Sequence, residues 1–137
     1  MAKVTWNDKA ILSLTKSIQL QSMNEATSFL STKVKDSMLP GTGNIWPSKK
    51  GDGSLHQASI PGVAPAPDTE ELKDSIYEIV LGGTANTNII GKVGTNNFKG
   101  IIHELGYTIN GDKRPFLRPA LDKNSDEIIK ILGKNKI

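Results

Sequence analysis

The chain of 137 residues contains no cysteine, which excludes disulfide bonds and thiolate metal sites. Aromatic residues make up only 5% of it and hydrophobic residues 36%, so we expect a core with few large side chains. The apolar runs are too short for a membrane-spanning helix. The opening residues MAKVTWNDK lack the apolar stretch of a signal peptide. We therefore expect a protein that is made in a cytoplasm and does not contact a membrane.

The sequence also lacks the spacings that common catalytic and metal sites require. His56 and His103 are far apart and have no ligand pattern around them, and no G-x-S-x-G motif occurs. Residues 41–51, GTGNIWPSKKG, have Pro47 in the middle of the positions where a phosphate loop needs Gly-Lys-Ser/Thr. We expect no enzyme activity, no cofactor and no metal site.

Charge of either sign is not concentrated. Seventeen basic and fourteen acidic side chains leave a net charge of +3. Nucleic-acid binding proteins usually gather positive charge on one face, whereas the lysines here are scattered along the chain. The ordinary interpretation is a set of solvated lysines, and the alternative is a weak attraction to a nearby polyanion.

Helical periodicity is strongest in residues 8–39. Apolar residues recur there at steps of three to five, and no glycine or proline interrupts them before Pro40. Asp8 is the expected N-cap. A helix of about thirty residues is about 45 Å long, which exceeds what a small domain covers. It therefore either contacts another subunit or bends.

Residues 40–68 hold five of the seven prolines and show neither helical nor strand periodicity. We expect a long Pro/Gly-rich loop, and loops of this length are usually functional or disordered. Trp46 and Ile60 are apolar side chains within it. They either fold back onto the domain or dock on a partner.

The remaining chain predicts short elements around a small antiparallel sheet. Turn residues at 82–86 separate two β-rich segments, and Gly106 is a good helix stop. The expected elements are a short turn from Thr69 to Leu72, strands at 75–81 and 87–95, a helical turn at 96–106, a tight turn at Asn110-Gly111, a helix from Pro119 to Leu132 and a loose tail at 133–137.

The segment RPFLRP, residues 114–119, is called the Arg-Pro segment below. Each proline fixes its own φ and favours extended geometry in the arginine before it, so the backbone is stiff. Phe116 and Leu117 then lie between Arg114 and Arg118. Two interpretations stay open: the apolar pair is an interface anchor of the kind found at binding hot spots, or it enters the core of this domain.

RPFLRPALD, residues 114–122, resembles the C-terminal signature of the tail-completion, or head-to-tail joining, proteins of long-tailed phages. ASIPGVAPAPDTEELKDSI (58–76) and FKGIIHELG (98–106) are similar to two further motifs of that family, in the same order. The resemblance covers residues 58–122. The chain departs from the family pattern at three places. Glu70 stands where the family has the glycine after Asp-Thr, and Lys73 stands where the family has arginine. Gly106-Tyr107 stands where the family has Gly-Thr.

The resemblance implies an α/β (α+β) domain spanning residues 1–137, with a long N-terminal helix and a C-terminal helix packed on a small antiparallel sheet. It implies a virion protein that forms a ring, expected to be a hexamer, between the tail tube or terminator protein and the head connector or stopper protein. DNA would pass through the ring without sequence-specific contacts. The loop 40–68 would reach an adjacent ring as an arm.

The residues expected at subunit contacts are therefore Arg114, Pro115, Phe116, Leu117, Arg118, Glu104, Trp46 and Ile60. Glu104 is expected to pair with one of the arginines. The rival functions are a tail terminator that caps the tube and a small DNA-binding protein.

Overall fold

The computed structural model describes residues 3, 5, 7–83, 88–107 and 111–134. It shows a mixed α+β fold with a long N-terminal helix, as predicted. The elements follow one another as α1 Asp8–Asp36, β1 Ile45–Pro47, β2 Leu55–Gln57, α2 Glu71–Asp74, β3 Ile76–Leu81, β4 Ile90–Thr95, α3 Phe98–Leu105, α4 Arg118–Lys123 and α5 Ser125–Gly133.

Helix α1 begins one residue earlier than the predicted cap suggests. The side chain of Asn7 accepts a hydrogen bond from the backbone N–H of Ala10 at 3.0 Å. Asparagine and aspartate are equally good caps, so the prediction of Asp8 was wrong by one position. Among the described side chains of α1, none before Ser22 is buried. The described side chains in the first half of the helix are exposed or half-buried, and a contact of this half with another subunit stays a prediction.

Strands β3 and β4 form the predicted antiparallel hairpin, with Ile76 opposite Thr95 and Leu81 opposite Ile90. Strand β4 begins at Ile90, three residues later than predicted, and residues 84–87, which include part of the predicted turn and the predicted first residue of the strand, lie outside the described residues. Successive side chains of a strand alternate between the two faces. The inner face packs on α1, and the outer face carries Tyr77, Ile79, Leu81 and Ile90.

The core forms where the C-terminal half of α1 crosses the start of the hairpin. Its buried apolar residues are Val34, Met38, Ile76, Phe116 and Ala120. Gly91 allows the close approach of α1 to β4, because a Cβ atom there would overlap the Thr27 Oγ1 atom and lie 2.8 Å from the Met23 sulfur. The core thus joins α1, the hairpin and the Arg-Pro segment.

The prediction that residues 40–68 contain no strand was wrong. Strands β1 and β2 pair antiparallel, with Trp46 opposite His56, and the Gly43 N–H donates to the Ala58 carbonyl at 2.7 Å to extend the ladder. Gly51 and Gly53 in the connecting turn have φ of 76° and 81°, which glycine adopts without steric cost. Three residues per strand are too few to show a period, so sequence patterning could not find this β1–β2 hairpin.

The predicted C-terminal helix is two helices. Asn124 interrupts it, and its side-chain amide donates to the Ala120 carbonyl at 2.8 Å. The Asn124 N–H also donates to that carbonyl at 3.2 Å, so the backbone bond is kept, and the break is a local departure of Asn124 from helical geometry, with φ −110° and ψ 10°. Asn110 and residues 135–137 lie outside the described residues, so the tight turn and most of the tail stay predictions.

Replacing Gly91 by alanine is expected to lower the free energy of unfolding by about 1–3 kcal/mol, the range typical of overpacked cores. The new methyl group would press on Thr27, whose hydroxyl donates to the Met23 carbonyl at 2.7 Å, and would separate α1 from β4. Urea denaturation measures the change. Gly94→Ala is the matched control on the same strand, because the nearest atom to its added Cβ is the Tyr77 hydroxyl at 3.9 Å. Equal effects of the two substitutions would contradict this packing.

Candidate protein-protein interface

The Arg-Pro segment is held by the carboxylate of Glu104, which lies in the last turn of α3. Its Oε2 atom accepts hydrogen bonds from the backbone N–H groups of Phe116 at 2.7 Å and Leu117 at 3.0 Å. Its Oε1 atom accepts from the N–H of Arg118 at 2.9 Å. Hydrogen bonds to a charged group contribute about 1.5–3 kcal/mol each. One side chain therefore fixes three successive amides at the start of α4.

This arrangement places Phe116 in the core of its own chain. Its side chain is only 1% exposed, and its ring lies beneath Gly100 of α3. Leu117 is half-buried against the same core. The sequence left two interpretations open, an interface anchor and a core residue, and Phe116 is a core residue. Its ring is therefore not exposed for docking on a neighbour.

The expected ion pair between Glu104 and an arginine does not form among the described residues, where both carboxylate oxygens accept backbone N–H groups instead. The Arg118 side chain is exposed and pairs with Asp122, one helical turn later, at 3.2 Å. Exposed pairs of this kind contribute about 0.3–0.5 kcal/mol. Arg118 therefore leaves most of its surface available, and its role at a subunit contact stays a prediction.

Arg114 joins the Arg-Pro segment to two other parts of the chain. Its backbone N–H donates to the His103 carbonyl at 2.8 Å, and its Nε–H donates to the Ser59 carbonyl at 3.2 Å. Next to it, the Gly62 N–H donates to the Lys113 carbonyl at 2.7 Å. Arg114 and Pro115 are half-buried, so the first half of the segment is a structural junction as well as a candidate contact.

His103 lies at this junction in an unfavourable place for a positive charge. Burial, followed by the Arg114 guanidinium and the Lys99 ammonium, lowers the pKa of its imidazole below the ordinary value of 6.5. Its Nδ1 atom is buried and has no hydrogen-bond partner in the described chain. The imidazole is therefore held neutral more strongly in the folded chain than in the unfolded chain.

Trp46 and Ile60 line an open groove of the described chain together with Ile102 and Tyr107. Trp46 is 59% exposed and Ile60 is 47% exposed. Each touches the domain without being buried by it, so the choice between folding back and docking on a partner stays open.

Asp68 fastens the β1–β2 hairpin to the body of the protein. Its carboxylate accepts hydrogen bonds from the Ser48 hydroxyl and from the Lys49 N–H, the second at 2.8 Å. The Ser48 bond, followed by the Lys49 bond, lowers the pKa of this carboxyl below its ordinary value. The hairpin is thus held at its tip by an ionised aspartate.

Sequence reasoning missed two exposed apolar faces. One is the α3 stripe, defined as Phe98, Ile101 and Leu105, whose side chains are between 51% and 68% exposed. The other is the outer hairpin face, defined as Tyr77, Ile79, Leu81 and Ile90, between 43% and 49% exposed. The spacing of three and four residues in the stripe was visible in the sequence, but spacing does not tell which side of a helix meets the core.

Within the described parts of the chain, no group of three or more histidine, aspartate or glutamate side chains is placed to hold a metal ion. In the same residues, no helix combines the length and apolar character needed to cross a membrane.

The three segments that carry the phage resemblance meet at one place in the fold. Glu104 of FKGIIHELG binds the backbone of the Arg-Pro segment, and Arg114 of that segment binds Ser59 of ASIPGVAPAPDTEELKDSI. These partners are 12 and 55 residues apart in the chain. The motifs are therefore parts of one connected framework.

Comparison with known proteins found no matching family model, no matching curated protein and no matching solved structure.

Replacing Glu104 by alanine is expected to lower the free energy of unfolding by about 4 kcal/mol or more, because three amides lose a charged acceptor. Glu104→Gln should lose less, since its amide oxygen still accepts two of the three bonds. Chemical denaturation measures both changes. Glu127→Ala is the control and should change stability by less than about 1 kcal/mol, because Glu127 forms only an exposed pair with Lys130 at 3.2 Å. A loss at Glu104 no larger than at Glu127 would show that the carboxylate does not hold the segment.

The pH dependence of stability should report on His103. Because the folded chain binds this proton less readily than the unfolded chain, stability is fully present above pH 6.5 and is lost as pH falls toward the lowered pKa. His103→Gln should therefore reduce the loss of stability between pH 6.5 and 5, whereas His56→Gln should leave the His103 contribution in place. Thermal denaturation at a series of pH values compares the three proteins. An unchanged profile in His103→Gln would contradict the burial of a neutral imidazole.

Proposed function

We propose that this chain is a structural subunit of a phage neck, where copies form a ring that completes the tail and joins it to the head connector. The observation that carries the proposal is the meeting of the three motifs. A chance resemblance in three short segments does not require those segments to touch. Here they are joined by the Glu104 and Arg114 hydrogen bonds, which supports a shared framework.

Glu70 gives independent support. Its φ is 64°, and among the described residues every other residue with positive φ is a glycine. A left-handed backbone costs a non-glycine residue about 1–2 kcal/mol, and glycine adopts it freely. The family pattern has glycine at this place, so the backbone geometry matches the motif although the residue does not.

Two exposed apolar faces support assembly. The side chains of the α3 stripe and of the outer hairpin face are all at least 43% exposed. Large exposed apolar patches are rare on monomers and are typical of interaction surfaces.

The β1–β2 hairpin is the part of loop 40–68 that would reach an adjacent ring. It carries Ile45 and Leu55 on one exposed face, and its turn carries Lys49 and Lys50. The partners that follow from a neck position are the tail tube or terminator protein on one side and the connector or stopper protein on the other. DNA would pass through the lumen, attracted by scattered lysines without reading its sequence.

Gold-labelled antibody against this protein should bind virions at the junction of head and tail. Cells infected with a phage lacking the gene should accumulate filled heads and complete-length tails that do not join, because the ring acts on finished tails. Electron microscopy of the lysate measures both. Tails of irregular excess length would instead identify a terminator. Label found away from the neck, or virions that form normally without the protein, would refute the proposal.

A further inference from the structure

A cavity of about 410 Å³ lies between the β1–β2 hairpin, residues 58–73, α3 and the Arg-Pro segment, and is called the Ser59 cavity below. Ligand pockets typically have volumes of about 300–1,000 Å³ and combine apolar walls with a few polar groups. The apolar lining residues here include Met38, Trp46, Pro47, Pro65, Pro67 and Leu72. The cavity therefore has the size and the lining of a site for a small ligand or for one side chain.

Two polar atoms of the lining residues are buried without a hydrogen-bond partner among the described residues. They are the Oγ atom of Ser59 and the Nδ1 atom of His103. Ser59 as a whole is only 4% exposed. About 90% or more of buried polar groups in proteins have a partner, so two exceptions in one cavity require an explanation. A ligand bound in the cavity would supply both partners.

Arg114 brings these two residues to the same place. Its backbone N–H donates to the His103 carbonyl at 2.8 Å, and its Nε–H donates to the Ser59 carbonyl at 3.2 Å. Arg114 also lines the cavity, and the Ser59 bond uses one of the five N–H donors of a guanidinium group. A hydroxyl, an imidazole and a guanidinium thus border one cavity.

We propose that the Ser59 cavity binds a carboxylate that carries an apolar group of about the size of a phenyl ring. The carboxylate accepts hydrogen bonds from the Ser59 hydroxyl and from the Nδ1–H of a protonated His103. It lies beside the Arg114 guanidinium, whose donor geometry suits carboxylates. The apolar group packs on the walls of the cavity. The carboxylate belongs either to a free organic acid or to a side chain of another protein.

The charges near the imidazole favour an anion over a cation. After burial, the Arg114 guanidinium and the Lys99 ammonium lower the pKa of His103, so this place already carries a positive potential. A second cation would add to that potential, whereas a carboxylate offsets it. The bound carboxylate therefore raises the pKa of His103, which takes up a proton and becomes a donor at Nδ1.

The other charged groups of the lining do not oppose a single negative charge. Asp68 accepts hydrogen bonds from Ser48 and from the Lys49 N–H, and Glu71 pairs with Lys99 at 2.9 Å. The lining holds four basic and three acidic side chains. Besides Arg114, Lys99 and His103, its titratable residues are Lys49, His56, Asp68, Glu70, Glu71 and Lys73.

Binding is tested on the full chain with three probes, followed by NMR through the Trp46 indole and the His103 imidazole. 3-Phenylpropionate is a free acid, and 3-phenylpropionamide has the same shape without the charge. The capped dipeptide acetyl-phenylalanyl-glutamic acid amide carries its carboxylate on a side chain. We expect saturation by a carboxylate probe with Kd of about 1 mM or below, and binding of the uncharged amide that is weaker by about tenfold. Tighter binding of the dipeptide identifies a protein side chain as the source, and tighter binding of 3-phenylpropionate identifies a free acid.

The Ser59→Ala variant separates binding from folding. Because its hydroxyl has no partner in the described chain, its removal should not lower the melting temperature. Affinity for the carboxylate should fall by about tenfold, since one hydrogen bond to a charged group is lost. Ser125→Ala is the control and should leave the affinity unchanged, because the Ser125 hydroxyl donates to the Asp122 carbonyl at 3.2 Å and does not line the cavity.

Binding should be linked to a proton at His103. The affinity should rise as pH falls from about 8 to about 6, because the liganded imidazole has the higher pKa and each unit of pKa difference corresponds to a tenfold change in affinity. The carboxylate probes stay ionised in this range, since ordinary carboxyl pKa values lie near about 4. NMR titration of His103 with and without probe measures the change in pKa, and His103→Gln should make the affinity independent of pH.

Four results would overturn the site. Equal affinity for the acid and its amide would remove the carboxylate preference. Unchanged affinity in Ser59→Ala, or an unchanged pKa of His103 in the presence of probe, would show that these groups do not contact the ligand. Absence of saturable binding by both carboxylates would leave water as the partner of the two buried atoms. Antibody labelling of the neck tests the proposed function separately.

Discussion

Three backbone amides bound by one carboxylate hold this fold together. Residues 111–118 have no strand or long helix to fix them, and the stiffness of two prolines does not by itself set their direction. The Glu104 carboxylate sets it by accepting the N–H groups of Phe116, Leu117 and Arg118. The direction of the segment decides where Phe116 points, and Phe116 is one of the two largest fully buried side chains of the described core.

The same attachment determines which surface the protein offers to partners. Because α3 is tied to the core through Gly100 and Glu104, its Phe98, Ile101 and Leu105 side chains face outward. The hairpin is likewise committed to α1 through its inner face. A thin core with few aromatic residues thus uses one side of each element and leaves the other side apolar and exposed. An assembly that covers these sides would supply burial that the single chain lacks.

Sequence patterns predicted the elements with strong local signals. The uninterrupted period of α1, the β-rich segments on either side of the 82–86 turn and the stop at Gly106 were all found, with boundaries correct to within a few residues. The short β1–β2 hairpin was missed because three-residue strands carry no readable period. The break at Asn124 was missed because one residue outside helical geometry, with φ −110° and ψ 10°, leaves the apolar spacing on either side unchanged.

The candidate site was harder to predict for a physical reason. The sequence around Phe116 is the same whether its ring enters the core or docks on a partner. The direction of the ring is decided by the hydrogen bonds to Glu104, 12 residues earlier in the chain. The resemblance included both residues in its motifs but suggested an arginine as the partner of the glutamate. The exposed faces depend on which side of α3 and of the hairpin meets the core, and this is decided by long-range packing.

An electron-microscopy reconstruction of the virion neck tests the central claim most directly. The account predicts a ring of copies of this chain at the head-tail junction, in which the α3 stripe and the outer hairpin face are covered by neighbouring proteins. A neck without this protein, or a ring in which α3 and the outer hairpin face both remain open to solvent, would contradict it.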